Sequence, residues 1–212
     1  MRSRKTLPVR IRVPTLVQIE SADRQLLADL AGTMAQAVRR SGNWLACRLG
    51  CTQCCIGPFA ITQLDALRLR KGMAALQSSD HVRACAVQAR ARSYVTAIAA
   101  IYPGDPATGE LFDEDSLPPS MDDLACPALD PDTGACDLYA SRPITCRSFG
   151  PATLIGSGRL AACELCYVGA TDEEIANCAV ELDPEEVELR LVNALEAAGL
   201  KGTTIVAFAL ID

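Results

Sequence analysis

The sequence predicts one compact, mainly α-helical domain with a few short strands, and three observations predict it. Aromatic residues make up only 4% of the 212 residues, while Ala and Leu are frequent, which suits helices packed through small side chains better than an aromatic-rich sandwich. Apolar residues recur at three- and four-residue spacing along much of the chain. Eleven cysteines are present, most of them in two knots, 47–55 and 126–166, that tie distant segments together. This length suffices to bury a substantial core, and a single domain over 1–212 is expected.

The elements follow in order. Residues 9–19, VRIRVPTLVQI, hold short β-branched runs and read as an N-terminal strand, with Pro14 marking an edge or a break. From Asp23 the spacing turns helical: Leu26, Leu27, Leu30, Met34 and Val38 share a face, and Gly42 is placed to end the helix. Thr62 is a helix N-cap with Asp65 three residues on, ahead of Leu64, Leu67 and Leu69. Gly72 weakens the continuation of that helix. Residues 80–101 form another periodic segment, which Tyr102-Pro103-Gly104 stops. The acidic, Pro- and Gly-rich stretch 103–124 reads as a surface loop. Two more helix starts stand at Thr171 with Glu174 and at Asp183-Pro184 with Glu186, the second leading into Val187, Leu191 and Leu195. The final TTIVAFALI reads as a buried strand. No internal repeat stands out.

Charge and hydropathy narrow the partners. The formal net charge is -6, whereas nucleic-acid binding draws its affinity from clustered Lys and Arg; no nucleic acid is expected. No run of about 18 apolar residues is available to span a membrane, and the basic start MRSRK is followed by LPVRIRV, broken by Pro and Arg, in place of a signal-peptide core. A cytoplasmic location is expected, with an unknown protein or small molecule as partner. In a reducing compartment an odd number of cysteines does not describe a disulfide scaffold.

The cysteines carry the chemistry. CRLGCTQCC places Cys47, Cys51, Cys54 and Cys55 within nine positions, at three- and four-residue steps that bring several thiolates to one side of a turn. Cys126, Cys136 and Cys146 follow at intervals of ten, then the close pair Cys163 and Cys166. Thiolates are soft ligands suited to zinc or iron–sulfur chemistry, not to calcium or magnesium. Cys85 and Cys178 lie within helical patterns and read as small packing residues. Arg142 and Arg147 flank Cys146, where their charge would offset a thiolate-rich centre; they are the candidate cofactor-binding residues. His81 beside Asp80 reads as a solvated or capping residue.

The passage GACDLYASRPITCRSF, taken with CRLGCTQCC, resembles the CxxCxxCC family, described as a zinc- or iron-chelating domain. The resemblance spans about residues 47–149 and assigns the family's clustered thiols to Cys47, Cys51, Cys54 and Cys55 and its later ones to Cys126, Cys136 and Cys146. It departs from the family's pattern in placing Ala135 between glycine and cysteine, and in adding Cys163 and Cys166. More distantly, the chain resembles cluster-containing flagellin lysine methyltransferases.

Nine cysteines exceed the four that a structural zinc site needs. Their wide separation favours a [4Fe-4S] centre stapling the helical domain, in a redox or cluster-dependent enzymatic role, and Pro127 after Cys126 suits ferredoxin-like ligation. The alternative is a zinc-binding structural or interaction protein. The Cys47, Cys51 and Cys54 spacing also matches the cluster motif of radical S-adenosylmethionine enzymes, but Gln53 stands where that motif has an aromatic residue and no barrel pattern follows.

Overall fold

The structure, a computed structural model, describes residues 14–155 and 158–211. The first helix, α1 (Leu16–Ser41), starts at Thr15, whose hydroxyl accepts from the Gln18 backbone while the Gln18 side chain accepts from the Thr15 backbone. Reciprocal capping of this kind satisfies two helix-end donors at once. Of the strand expected over 9–19, residues 16–19 are therefore helical, and 9–13 lie outside the described residues. Helix α1 buries Ile19, Leu26, Leu30 and Ala37 and ends at Gly42, whose φ of 49° is in the left-handed region.

A short strand β1 (Ile61–Thr62) leads into α2 (Gln63–Ser79), capped by Thr62 accepting from Asp65 N–H at 3.2 Å. The helix runs straight through Gly72. A side chain there would meet Ser141, since a Cβ on Gly72 would lie 2.4 Å from Ser141 Oγ. The glycine marks a close crossing of α2 and the turn 139–141, not a helix end. Helix α3 (His81–Ile98) packs against α2 through Ala84, Val87 and Ala91.

The stretch 103–124 contains a hairpin of β2 (Gly104–Asp105) and β3 (Glu110–Leu111), then 3-10 turns at Glu114–Ser116 and Pro119–Met121. Beyond it come α4 (Ile144–Ser148), β4 (Thr153–Ile155), β5 (Arg159–Ala161), α5 (Asp172–Cys178) and β6 (Val180–Glu181). The chain closes with α6 (Val187–Ala197), β7 (Thr203–Thr204) and α7 (Val206–Ala209). The expected C-terminal strand is thus two residues of strand and a helical turn. Its burial was legible, but an apolar run buried on all sides has no periodicity to separate strand from helix.

The strands form two small sheets. One has the order β1-β7-β3-β2, antiparallel throughout; the other is β5-β4-β6, with β4 and β6 parallel. Helix α7 lies in the core, with Val206, Ala209 and Leu210 against α2 and α3 and with Ala207 and Phe208 beside Ile98, Tyr102 and Met121. A third apolar cluster joins α1 to α6 through Ile19, Leu26, Leu30, Leu191 and Leu195.

Within the packing of these helices sits Arg68, 5% exposed. Its guanidinium donates to Asp23 of α1 at 2.5 and 3.0 Å and to Asp65 at 2.5 Å, and lies 3.7 Å from Glu188 of α6. A buried charge requires such partners. Asp65 also accepts from Ile144 N–H at 3.1 Å, so the network fastens the first residue of α4 to α2.

An internal repeat emerges in three dimensions. In Asp105-Pro-Ala-Thr-Gly109, the Asp105 carboxylate accepts from Ala107 N–H and Thr108 Oγ1–H at 2.9 and 3.0 Å, and Thr108 Oγ1 accepts from Glu110 N–H at 3.3 Å. In Asp130-Pro-Asp-Thr-Gly134 the same three bonds form at 3.0, 2.8 and 3.3 Å, to Asp132, Thr133 and Ala135. Both turns end on a glycine of positive φ, 75° and 66°.

A thiol-lined cleft as candidate functional site

The cleft is built by segments with little regular structure. Residues 53–55 form a 3-10 turn after Gly50, and the chain then pairs with the second knot: Cys126 N–H donates to Cys55 O at 2.7 Å and Gly57 N–H to Leu124 O at 2.9 Å. The Asp130 turn folds Cys136 back beside Leu129 and Cys126. Its tip reaches the first knot, where a Cβ on Gly134 would lie 3.3 Å from Gly50 Cα. Asp137, its side chain 2% exposed, bonds both Arg83 and Arg90 of α3 and anchors this hairpin to the helical core.

These segments, with the Met34 and Val38 face of α1, enclose a cavity of about 920 Å3. Eight of the nine candidate cysteines line it: Cys47, Cys51, Cys54, Cys55, Cys126, Cys136, Cys146 and Cys163. Cys166 stands behind Cys47, their sulfurs 4.0 Å apart. The two sequence knots do not map onto two spatial groups. The first knot is divided: Cys47 interacts with Cys51, Cys163 and Cys166, while Cys54 and Cys55 interact with Cys126, Cys136 and, for Cys54, Cys146.

Two sulfur pairs stand 4.0 Å apart, Cys47 with Cys166 and Cys54 with Cys55. Four thiolates around zinc sit at about 2.3 Å from the ion, which brings every sulfur to about 3.8 Å from three others. Among the described residues no group of three or more His, Cys, Asp or Glu side chains is arranged to hold a metal ion. The expected cysteine-ligated centre is therefore corrected: the donor set fits neither the [4Fe-4S] cluster nor the zinc alternative, and iron–sulfur binding and zinc binding are not supported as functions. Nor, among the described residues, is a metal staple formed across the helical domain. The buried Arg68 network, the hairpin anchored at Asp137 and the packed helices join its segments.

Electrostatics set one thiol apart. The Cys54 thiol is lowered to about 6, first by its hydrogen bond with Cys55, with help from a backbone hydrogen bond and the Arg142 charge, against the cost of burial. The same shared contact, with burial and the neighbouring thiols, pushes Cys55 strongly upward. Burial, reinforced by neighbouring thiols, raises Cys47 to about 12 and Cys126 to about 11, and also raises Cys136, Cys146 and Cys163. Burial thus favours the neutral form of the thiols next to Cys54.

The two arginines differ in what they do. Arg142 lies over the Tyr139 ring, 3.5 Å from its centroid, and donates to Tyr139 O at 3.0 Å and Cys146 O at 3.3 Å. Its charge favours the thiolate forms of Cys54, Cys136 and Cys146. Arg147 donates to Arg142 O at 2.9 Å and to Ala140 O, and holds the turn that carries Arg142.

Several supporting residues carry no signal in the sequence. Gly150, at φ 115°, leaves room for Cys47, whose sulfur would be 2.6 Å from a Cβ. Tyr167, buried and at φ 57°, shares a hydrogen bond with Ser41 at the end of α1 and accepts from Ala152 N–H at 2.8 Å. It secures the Cys163 to Cys166 segment. Of the two cysteines expected to be packing residues, Cys178 is buried and donates to Arg40 O at 3.4 Å, but Cys85 is exposed.

A sequence model of the CxxCxxCC family, described as "Putative zinc- or iron-chelating domain", matches residues 46–167, more than half of the chain. No curated protein and no solved structure matches, so nothing ties the chain to flagellin lysine methyltransferases. Among the described residues no helix is long and apolar enough to cross a membrane.

Proposed function

Because this chain belongs to the CxxCxxCC family, whose matched segment carries all nine candidate cysteines, we propose that its function resides in the cleft as a thiol-based acceptor site. Its ligand is a small apolar molecule bearing a thiol-reactive group. The observation that carries this reading is the convergence of eight cysteines on one cavity of about 920 Å3, a size that encloses a small organic ligand. Cys54 is the attacking thiolate, with Cys55 as its hydrogen-bond partner at 4.0 Å and Arg142 as counter-charge. Arg147 positions Arg142. Cys126, Cys136 and Cys146 form the adjoining wall and Cys47, Cys51 and Cys163 another, with Cys166 behind Cys47. Apolar side chains of α1 and Phe59 supply affinity through burial. The chain from 1 to 212 acts as one domain around this cleft, and a reducing compartment such as the cytoplasm keeps the thiols free.

Alkylation of the reduced protein by iodoacetamide at pH 7, followed peptide by peptide by mass spectrometry, tests the reading. Cys54 reacts about two- to fourfold faster in the folded chain than in urea, because a free thiol is only a few per cent ionised at that pH, while the lower pKa costs part of the intrinsic nucleophilicity. An apolar maleimide added first protects it. Equal rates for Cys54 in the folded and unfolded chain would remove it from the proposed role.

A further inference from the structure

The charge of the cleft is opposite to that of the chain. The protein carries 26 Asp and Glu against 20 Lys and Arg, yet among the described residues that line the cavity none is Asp or Glu. Three are arginines: Arg48, Arg142 and Arg147. Among the described residues no carboxylate pairs with any of these three, whereas Arg68, Arg83 and Arg90 each have one or more. Glu164 bonds the lining residue Gln53 at 3.0 Å but does not itself line the cavity.

Two of the three cations are fixed in place. The Tyr139 ring and the carbonyls of Tyr139 and Cys146 hold Arg142, and Arg147 donates to Arg142 O. Burial, then repulsion from Arg142 and Arg68, holds Arg147 below the usual arginine range. The positive charge of this pair is therefore incompletely met by the protein, and the Cys54 thiolate answers only part of it. A cleft lined by one sign of charge concentrates its field, and a guanidinium held in position recognises a carboxylate through charge-assisted hydrogen bonds. The same cavity presents Leu30, Met34 and Val38 of α1 and Phe59, which suit an apolar chain.

We propose that the cleft selects amphipathic carboxylates, with the carboxylate held at Arg142 and Arg147, the apolar chain laid along α1, and Arg48 as an exposed attracting charge. This rests on the reading of the cleft as a ligand site and adds the ligand's charge; it does not require Cys54 to be reactive.

Calorimetric titration of the full-length reduced protein at pH 7 compares decanoate with decan-1-ol, which has the same chain length and no charge. Decanoate binds about tenfold tighter than decanol, and its affinity falls severalfold between about 0.05 and about 0.5 M salt while that of decanol does not fall. Arg48→Gln and Arg142→Gln each weaken decanoate about three- to tenfold and leave decanol unchanged; Arg24→Gln, on an exposed arginine of α1 outside the cavity, changes neither. The Arg48 side chain is exposed and bonds nothing among the described residues, so its variant and the salt series report on charge even if Arg142→Gln loosens its turn. Cys54→Ser, which removes the reactive sulfur, still prefers decanoate, so a failure of Cys54 reactivity and a failure of anion selection are read separately. Decanol binding as tightly as decanoate, no binding of decanoate, or a decanoate affinity indifferent to salt and to Arg48→Gln overturns the proposal.

Discussion

Replacing Glu188 by glutamine should raise stability at alkaline pH and flatten its pH dependence. Glu188 sits beside Arg68 at 3.7 Å, its side chain 27% exposed, facing Asp65, Asp183 and Asp23. Burial, then repulsion from Asp65, outweighs the attraction of Arg68 and pushes its carboxyl up from 4.5 to about 7. Between those values the folded protein binds a proton that the unfolded chain has lost. Stability therefore falls as pH rises through this window and levels off above about 7. The displacement corresponds to at most about 3 kcal/mol at 1.36 kcal/mol for each unit, reduced to about 1–3 kcal/mol by the partial exposure of the group. The substituted amide cannot ionise, and the long contact to Arg68 that it replaces is weak, so Glu188→Gln gains that amount at pH 8 and little at pH 5. Asp65, also raised by burial, retains a shallower slope in the variant. Urea unfolding under reducing conditions at pH 5, 6, 7 and 8 measures both curves. Parallel curves, or a variant less stable at pH 8, would refute the account of this network.

Two further substitutions probe the cleft's supports. Gly72→Ala should cost about 1–3 kcal/mol despite alanine's higher helix propensity, because the new methyl would lie 2.4 Å from Ser141 Oγ; Ser141→Gly in the same chain should restore most of the loss in urea unfolding. Asp137→Asn should destabilise by about 1–3 kcal/mol, since it removes the shared charge from Arg83 and Arg90; faster amide exchange confined to residues 126–137 is the accompanying signature.

Local signals were the most legible. Thr62 and Thr171 cap helices as their spacing indicates, and Leu191 and Leu195 are buried by the helix they pattern. The start of α1 was misread because the β-branched run before it obscured the Thr15 and Gln18 pair. In the cleft, the sequence revealed which residue types gather but not how they divide. Cys51 and Cys54 are neighbours in the chain, yet they face different partners because the turn at 53–55 separates them. Gly150 and Tyr167 could not be chosen among other glycines and tyrosines, as their roles depend on contacts across more than 100 residues. The fit of a metal was inferred from ligand number, whereas coordination is decided by where the sulfurs point.

The twin Asp-Pro-x-Thr-Gly turns have a consequence for how the cleft comes into being. The same five-residue solution forms at the end of the β2-β3 hairpin and again beside the thiols, so its shape is dictated by its own side chains and is indifferent to its surroundings. The legs bearing Cys126 and Cys136 consequently carry their own alignment. One wall of the cleft is a prefabricated part, which the helices receive and do not need to mould.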